Sequence, residues 1–344
     1  MSHSTVPRSG TEADMTEKTP VASGGATGSR EKRPSGRVSL RLRFRRDRVL
    51  LLMTLPAVLL VLLFNYVPIL GNIVAFQDYD PYISDNGIVS MLHSPWVGIE
   101  NFQRVFEDSA FWDAVQNTLV LFFLQLVLYF PIPIGLALLI NSVVRPRVRA
   151  LSQAILYLPH FFSWVLVIAV FQQLFGGAGI LSQLLRQHGY EGLDIMTDPN
   201  TFKFLITAQS VWKDAGWGII VFLAALSSVS PDLYEAAAMD GAGRWRRMWH
   251  ITLPALRPVI ALLLVLRVGD GLTVGFEQIL LQRDAVGPGA AEVLDTFVWW
   301  NGVRNQDFGY AAAAGLIKGV VSLGLVLAAN KVAHLMGEQG VYKK

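Results

Sequence analysis

From Ala114 to Ile140 the chain carries no charged side chain, and none occurs anywhere between Asp113 and Arg145. A stretch of that length matches the hydrocarbon core of a bilayer, about 30 Å thick and crossed by about 20 helical residues. Five more stretches are long and apolar enough to cross: Val49–Leu70, Ala150–Phe175, Phe204–Val229, Val259–Leu281 and Phe308–Asn330. Backbone polar groups in hydrocarbon must be satisfied within their own segment, so the spans are expected to be helices. The predicted fold class is therefore all-α, a polytopic membrane protein with six transmembrane helices. Composition agrees: 16% of residues are charged and 52% hydrophobic, where an ordinary globular chain is about 25% charged.

There is no cysteine, which excludes disulfides, zinc–thiolate sites and iron–sulfur clusters. No metal-ligand spacing occurs, no Ser-His-Asp set is placed by any motif, and no cofactor or catalytic residue is expected. Residues 1–45 are rich in Ser, Gly, Thr, Pro and charge and cannot bury enough surface to fold. They are read as a disordered tail preceding one domain over 46–344. Val49–Leu70 exceeds the 7–15 residue apolar core of a secretory signal, so it is expected to remain as an anchor.

Orientation follows from Lys and Arg, which short loops retain in the cytoplasm. The segment up to Arg48, the 141–149 and 230–258 loops and the C-terminus together hold 21 basic residues; the alternate segments 71–113, 176–203 and 282–307 hold five. Six helices with both termini cytoplasmic satisfy this bias. The net charge of +3 is thus a signature of topology, and no nucleic-acid partner is implied.

The 230–258 loop is more than a basic turn. Ser230-Pro231-Asp232 supplies an N-cap, a proline for the first helical turn and an acid at the positive end of the dipole. A helix is predicted over Leu233–Asp240, broken by Gly241 and Gly243. A second amphipathic turn follows, with Trp245, Met248, Trp249 and Leu253 on one face and Arg244, Arg246 and Arg247 off it. Lipid headgroups would suit that second turn, but they would repel Glu235 and Asp240. An acidic surface there is better used against a basic groove of another protein.

The same segment resembles the EAA loop of the inner-membrane permeases of binding-protein-dependent ABC importers. Glu235-Ala236-Ala237, Asp240-Gly241-Ala242, Met248, Ile251, Leu253-Pro254 and Pro258 stand at the positions of that pattern, with Met248 where many members have Phe. The stretches YLPHFFSWV at 157–165, WKDAGWG at 212–218 and GFEQILL at 275–281 are similar to the sugar-transporting branch, in particular to permeases for complex or uronic-acid-containing oligosaccharides. The resemblance implies a second permease subunit, a cytoplasmic dimer of ATPase subunits and an extracellular or periplasmic solute-binding protein as partners. It implies that the loop is a coupling helix between the fourth and fifth spans, with Glu235 paired to a basic residue of the ATPase, Gly241 allowing the bend and Asp240 holding the loop internally. ATP would bind elsewhere, in keeping with the absence of any G-x-x-x-x-G-K-[ST] loop from this chain.

Six ionisable residues fall inside expected spans: Lys213 and Asp214, then Arg267, Asp270 and Glu277, then Lys318. Charge at bilayer depth is costly and marks a cavity or a partner. Asp270 and Glu277, two turns apart, would share a face of a continuous helix. Gly269, Gly271 and Gly275 between them weaken that helix and suggest local unwinding. Two readings stand: a substrate pathway built from Trp212, Lys213, Asp214, Asp270, Glu277 and Lys318, or ion pairs such as Arg267 with Asp270 that only lock helices together. Trp212 and Trp217 offer aromatic faces to sugar rings. His160, alone among Leu, Phe and Trp, is expected to be a packing residue.

The expected function is a permease subunit of an ABC importer for a sugar or oligosaccharide, without catalysis of its own. An ion-coupled secondary transporter using Asp270, Glu277 and Lys318 is the alternative, and it leaves the loop unexplained. A membrane enzyme acting on lipid-linked sugar would need an acid or metal motif that is not present.

Overall fold

The computed structural model describes residues 48–335; the tail expected over 1–45 lies outside them. The described residues are helical apart from turns and loops, with no strand among them beyond one isolated bridge, Gln77 to Trp96. Six helical segments are long and apolar enough to cross a membrane: Arg48–Phe76, Ser109–Asn141, Trp164–Gln187, Phe202–Ser227, Arg244–Gly269 and Phe308–Leu335.

Among the described residues, those from Arg48 to Leu62 and those from Leu63 to Leu335 pack as separate units. The first contains α1 (Arg48–Val61), with Pro56 in its interior and a Thr54 hydroxyl that donates to the Leu51 carbonyl at 3.0 Å. In the second, α2 (Ser109–Leu124) is capped by Asp108 and passes through a π-helical turn, Gln125–Tyr129, into α3 (Pro131–Asn141). Pro131 and Pro133 sit in the first turn of α3, where a missing N–H does no harm.

Two of the expected spans are broken, and both breaks follow from local chemistry. The stretch expected to run through Ala150–Phe175 divides into α4 (Pro146–Tyr157), a 3-10 turn over Leu158–Phe161, and α5 (Trp164–Phe175). Pro159 has no N–H to continue the ladder. Phe162 and Ser163 are extended, and Ser163 starts α5 afresh by accepting from Leu166 N at 3.3 Å. The stretch expected through Val259–Leu281 likewise ends early. Helix α9 (Leu253–Gly269) stops at Asp270, and a short α10 (Phe276–Leu280) begins only after Gly275, whose φ of 91° is a left-handed conformation that side chains disfavour. The unwinding suggested by the glycines is present. Asp270 and Glu277 therefore do not share a helix.

The remaining long helices are unbroken: α6 (Phe202–Ser227) and α11 (Phe308–Leu335). Helix α6 is the centre of the packing. Its Phe202 and Ile206 join Leu121, Val274 and Ile279 in one buried cluster. Its Ile219 and Phe222 join Ala137, Ile140 and Leu256 in another. A third cluster gathers Phe111, Leu272, Phe297 and Tyr310. Lipid is as apolar as leucine, so these contacts hold through close packing and interhelical hydrogen bonds rather than through expulsion of water.

Candidate coupling loop and membrane-embedded polar site

Between α6 and α9 the loop folds as two arms around a closed bend. Ser230 accepts from Asp232 N at 3.3 Å and opens α7 (Pro231–Met239). At the other end Gly241 adopts φ 73°. Ala242 N donates to Ala237 O at 2.8 Å and Gly241 N to Ala238 O at 3.0 Å, the paired bonds of a Schellman termination. The spacing of Ala237 and Gly241 thus has a mechanical reason: one supplies the carbonyl, the other the backbone that can reach it. The second arm is one α-turn, α8 (Arg244–Arg247), then a π-helical turn, Met248–Thr252, running into α9. Tyr234 Oη lies 3.1 Å from Thr252 Oγ1 and ties the arms together.

The loop presents most of its chemistry outward. Glu235, Ala236 and Asp240 are exposed, Ala237 and Ala242 half-buried, and Met239 is 88% exposed. The Glu235 carboxylate makes no hydrogen bond or ion pair among the described residues. Neither does that of Asp240, so its side chain does not hold the loop internally as the resemblance implied; only its backbone N–H does so, bonding Ala236 O at 3.1 Å as the helix ends. Ile251, Leu253 and Pro254 are half-buried at the root of the second arm. Of the expected amphipathic face, Met248 and Leu253 turn inward, while Trp245 and Trp249 stay exposed with Leu233.

Within the spans, the break after α4 creates a polar site. The 3-10 turn leaves the His160 carbonyl outside any helical ladder, and Lys213 Nζ of α6 donates to it at 2.7 Å. Asp214 Oδ1 lies 2.9 Å from His160 Nδ1 and 3.6 Å from Lys213 Nζ. The imidazole stacks on Trp217 at 4.6 Å, and the Lys213 ammonium sits 5.4 Å from the Trp164 ring centre. His160 is therefore not the packing residue expected but the hub of this cluster, because the break exposes both its ring and its backbone to α6. Trp212 packs edge-on against Phe171, 5.8 Å between centroids.

The other expected charges stand apart from that cluster. Lys318 pairs with Asp295 and donates to Thr273 Oγ1 at 3.1 Å. Arg267 does not pair with Asp270; its guanidinium donates to Gln125 Oε1 and lies 5.4 Å from the Tyr129 ring centre. Asp270 and Glu277 are exposed, on either side of the break between α9 and α10, and their carboxylates make no bond among the described residues. Beside the Lys318–Asp295 pair, a cavity of about 640 Å³ is lined by Asn72, Thr273, Phe276, Asp295, Trp299 and Phe308 among others.

Two buried networks escaped the sequence reading. Gln209, Gln278 and Gln282 are almost fully buried. Gln278 Nε2 donates to Gln209 Oε1 at 2.7 Å and to Ile206 O at 2.9 Å, and Gln209 and Gln282 bond each other. This joint fastens α10 to α6. Arg283 Nε donates to Glu292 Oε2 at 2.7 Å, and the guanidinium stacks 3.8 Å over Trp300. The i, i+4 spacing of Gln278 and Gln282 was the available signal; nothing in the sequence pointed to Gln209 as its partner.

Residues 130–332 match the family of binding-protein-dependent transport system inner membrane components. The chain is 42% identical over 307 residues to the polygalacturonan/rhamnogalacturonan transport system permease protein YteP of Bacillus subtilis (strain 168), covering 89% of this chain and 94% of that one. It is 40% identical over 299 residues to the protein LplB of the same organism, covering 87% and 92%. The crystal structure of a bacterial ABC transporter involved in the import of the acidic polysaccharide alginate matches with a TM-score of 0.78 at 36% identity, over 86% of this chain and 98% of that chain. A structure of a bacterial alginate ABC transporter in complex with an alginate pentasaccharide-bound periplasmic protein matches equally well.

Proposed function

This chain belongs to the binding-protein-dependent transport system inner membrane components, the multi-pass permease subunits of ABC importers, and we propose that its cargo is an acidic oligosaccharide of the uronate type. The relatives named for polygalacturonan/rhamnogalacturonan and alginate support that cargo class. The ion-coupled alternative falls with the family assignment, and Lys318, which it required as part of a relay with Asp270 and Glu277, is engaged by Asp295 instead. The cavity beside that pair carries Trp299 and Phe276 as aromatic walls for sugar rings, and Asn72, Thr273 and Asp295 as polar groups for hydroxyls. We place the pathway along it and along the Trp212–Lys213–Asp214 cluster, with Asp270 and Glu277 at the unwound joint between them.

Coupling runs through the 230–258 loop. The observation that carries this is an acidic, solvent-facing helix, α7, whose bend is closed by its own backbone bonds. Glu235, unpaired among the described residues, meets a basic side chain of a cytoplasmic ATPase subunit, with Ala236, Ala237, Asp240, Gly241 and Ala242 forming the docked surface and Ile251, Leu253 and Pro254 anchoring it to α9. A second permease subunit, an ATPase dimer that hydrolyses ATP and a solute-binding protein complete the importer. Both termini and this loop lie in the cytoplasm, as the Lys and Arg bias supports.

Glu235→Lys tests the docking. Reversing an acid that faces a cation strands both groups, so uptake and substrate-stimulated ATP hydrolysis are expected to vanish while the subunit still inserts. Full uptake with this substitution, at normal amounts in the membrane, refutes the assignment of Glu235.

A further inference from the structure

Between α9 and α11 lies a groove of about 540 Å³ whose walls are almost wholly apolar. Leu264 and Val268 of α9 line it together with Leu325, Ala329 and Ala333 of α11, and Arg257 is the lining residue nearest the start of α9. The Arg257 guanidinium is exposed and makes no hydrogen bond or ion pair among the described residues. From the Lys and Arg bias, and from the place of Arg257 at the end of the 230–258 loop, its end of the groove lies at the cytoplasmic face.

We propose that this groove holds one acyl chain of an anionic phospholipid from the cytoplasmic leaflet, with its phosphate on Arg257. Length separates a lipid from a protein occupant. Arg257 and Val268 are 11 residues apart, about 16 Å along a helix at about 1.5 Å per residue. One leaflet contributes half of a hydrocarbon core about 30 Å thick, so the groove is one acyl chain long, whereas a transmembrane helix of another subunit would be covered over only half its length. Charge points the same way. A guanidinium at the headgroup level without a carboxylate partner is suited to a phosphate, which it binds through paired N–H donors. The alanines of α11 leave room for a methylene chain to lie against both helices.

Native mass spectrometry of the full-length protein in detergent micelles tests this, with dioleoyl phosphatidylglycerol and dioleoyl phosphatidylcholine titrated separately. The wild type is expected to hold one phosphatidylglycerol that saturates well before phosphatidylcholine. Arg257→Gln should raise the phosphatidylglycerol concentration for half-occupancy about fivefold, the effect of one basic side chain at a membrane surface, and leave phosphatidylcholine unchanged. Arg145→Gln, an exposed arginine of another cytoplasmic loop, should alter neither. Ala329→Trp, which fills the groove, should abolish the tight adduct; if that variant does not fold, Arg257→Gln decides alone. Equal binding of the two lipids, or an unchanged phosphatidylglycerol titration in Arg257→Gln, overturns the proposal. So does efficient cross-linking of Ala329→Cys to a second permease subunit in native membranes, which would make the groove a protein interface.

Discussion

Gly216 is where α6 and α4 come closest, and adding a single methyl there should unseat the polar site. A Cβ at this position would lie 2.5 Å from the Leu156 carbonyl carbon, nearer still to its oxygen, and 3.1 Å from Tyr157 N. Unstrained carbon contacts lie at about 3.5–4.0 Å, so Gly216→Ala requires the end of α4 to retreat by about 1 Å. His160 follows four residues later, on the 3-10 turn that continues directly from α4. The 2.7 Å bond from Lys213 Nζ to its carbonyl would stretch to about 3.7 Å, outside hydrogen-bond range. Losing a bond to a charged group costs about 1.5–3 kcal/mol, and the overpacking itself about 1–3 kcal/mol. The sum, about 2.5–6 kcal/mol, is large against the stability of most proteins. The assay is thermal unfolding of the purified chain in detergent, followed by Trp fluorescence, since Trp217 stacks on His160, together with uptake in cells. Gly135→Ala in α3 is the control. Its Cβ meets nothing within 4 Å, and alanine favours a helix interior by about 0.5–1 kcal/mol. A Gly216→Ala protein that unfolds no earlier than Gly135→Ala would refute the close approach of α4 to α6 and the reasoning built on it.

Gly241 should respond to backbone chemistry alone, since a Cβ there meets nothing within 4 Å: Gly241→Asn is expected to keep uptake, Gly241→Ala to weaken coupling by about 1–2 kcal/mol of left-handed strain, and Gly241→Val to lose most of it. Equal uptake in all three would show that the bend is not needed. Lys213→Ala and Glu277→Ala should each lower uptake while basal ATP hydrolysis of the complex persists, and their effects should add, because Lys213 is bonded to His160 and not to Glu277; rescue in the double variant would reveal an ion pair instead. Orientation can be read with an impermeant maleimide on a chain that has no cysteine. In intact cells Asp85→Cys and Gly289→Cys should label, and Arg147→Cys and Gly243→Cys should label only after the membrane is opened; the reverse pattern would overturn the charge-bias argument.

The sequence was most informative where one residue dictates one backbone event. Ser230, Pro231 and Gly241 announce the start and end of α7 because a cap, a missing N–H and a positive φ are local requirements. The glycines after Leu266 foretold a broken helix for the same reason. Pro159 carried an equally local signal, yet hydropathy masked it: Leu158, Phe161 and Phe162 keep the average high across a break that is not helical. What could not be read were pairings over distance. His160 meets Asp214 across 54 residues, and Gln209 meets Gln278 across 69. A lone polar residue in an apolar run declares that it needs a partner without saying which. The charged residues drew attention because their solvation cost is high, whereas the glutamines, cheaper to bury, passed as background.

The joint between α10 and α6 is made of three carboxamides, and that choice has an electrical consequence. Each amide both donates and accepts, so Gln209 bonds Gln278 and Gln282 at once without a bare charge facing hydrocarbon. A glutamate in the same place would carry its charge through the transmembrane potential whenever the joint moved, at a cost of up to about 2.3 kcal/mol per 100 mV for a full crossing. It would also gain and lose a proton as the medium changed. The amides do neither. With neither net charge nor a titrating proton in it, this joint would do no work against the membrane voltage and consume no proton in any movement.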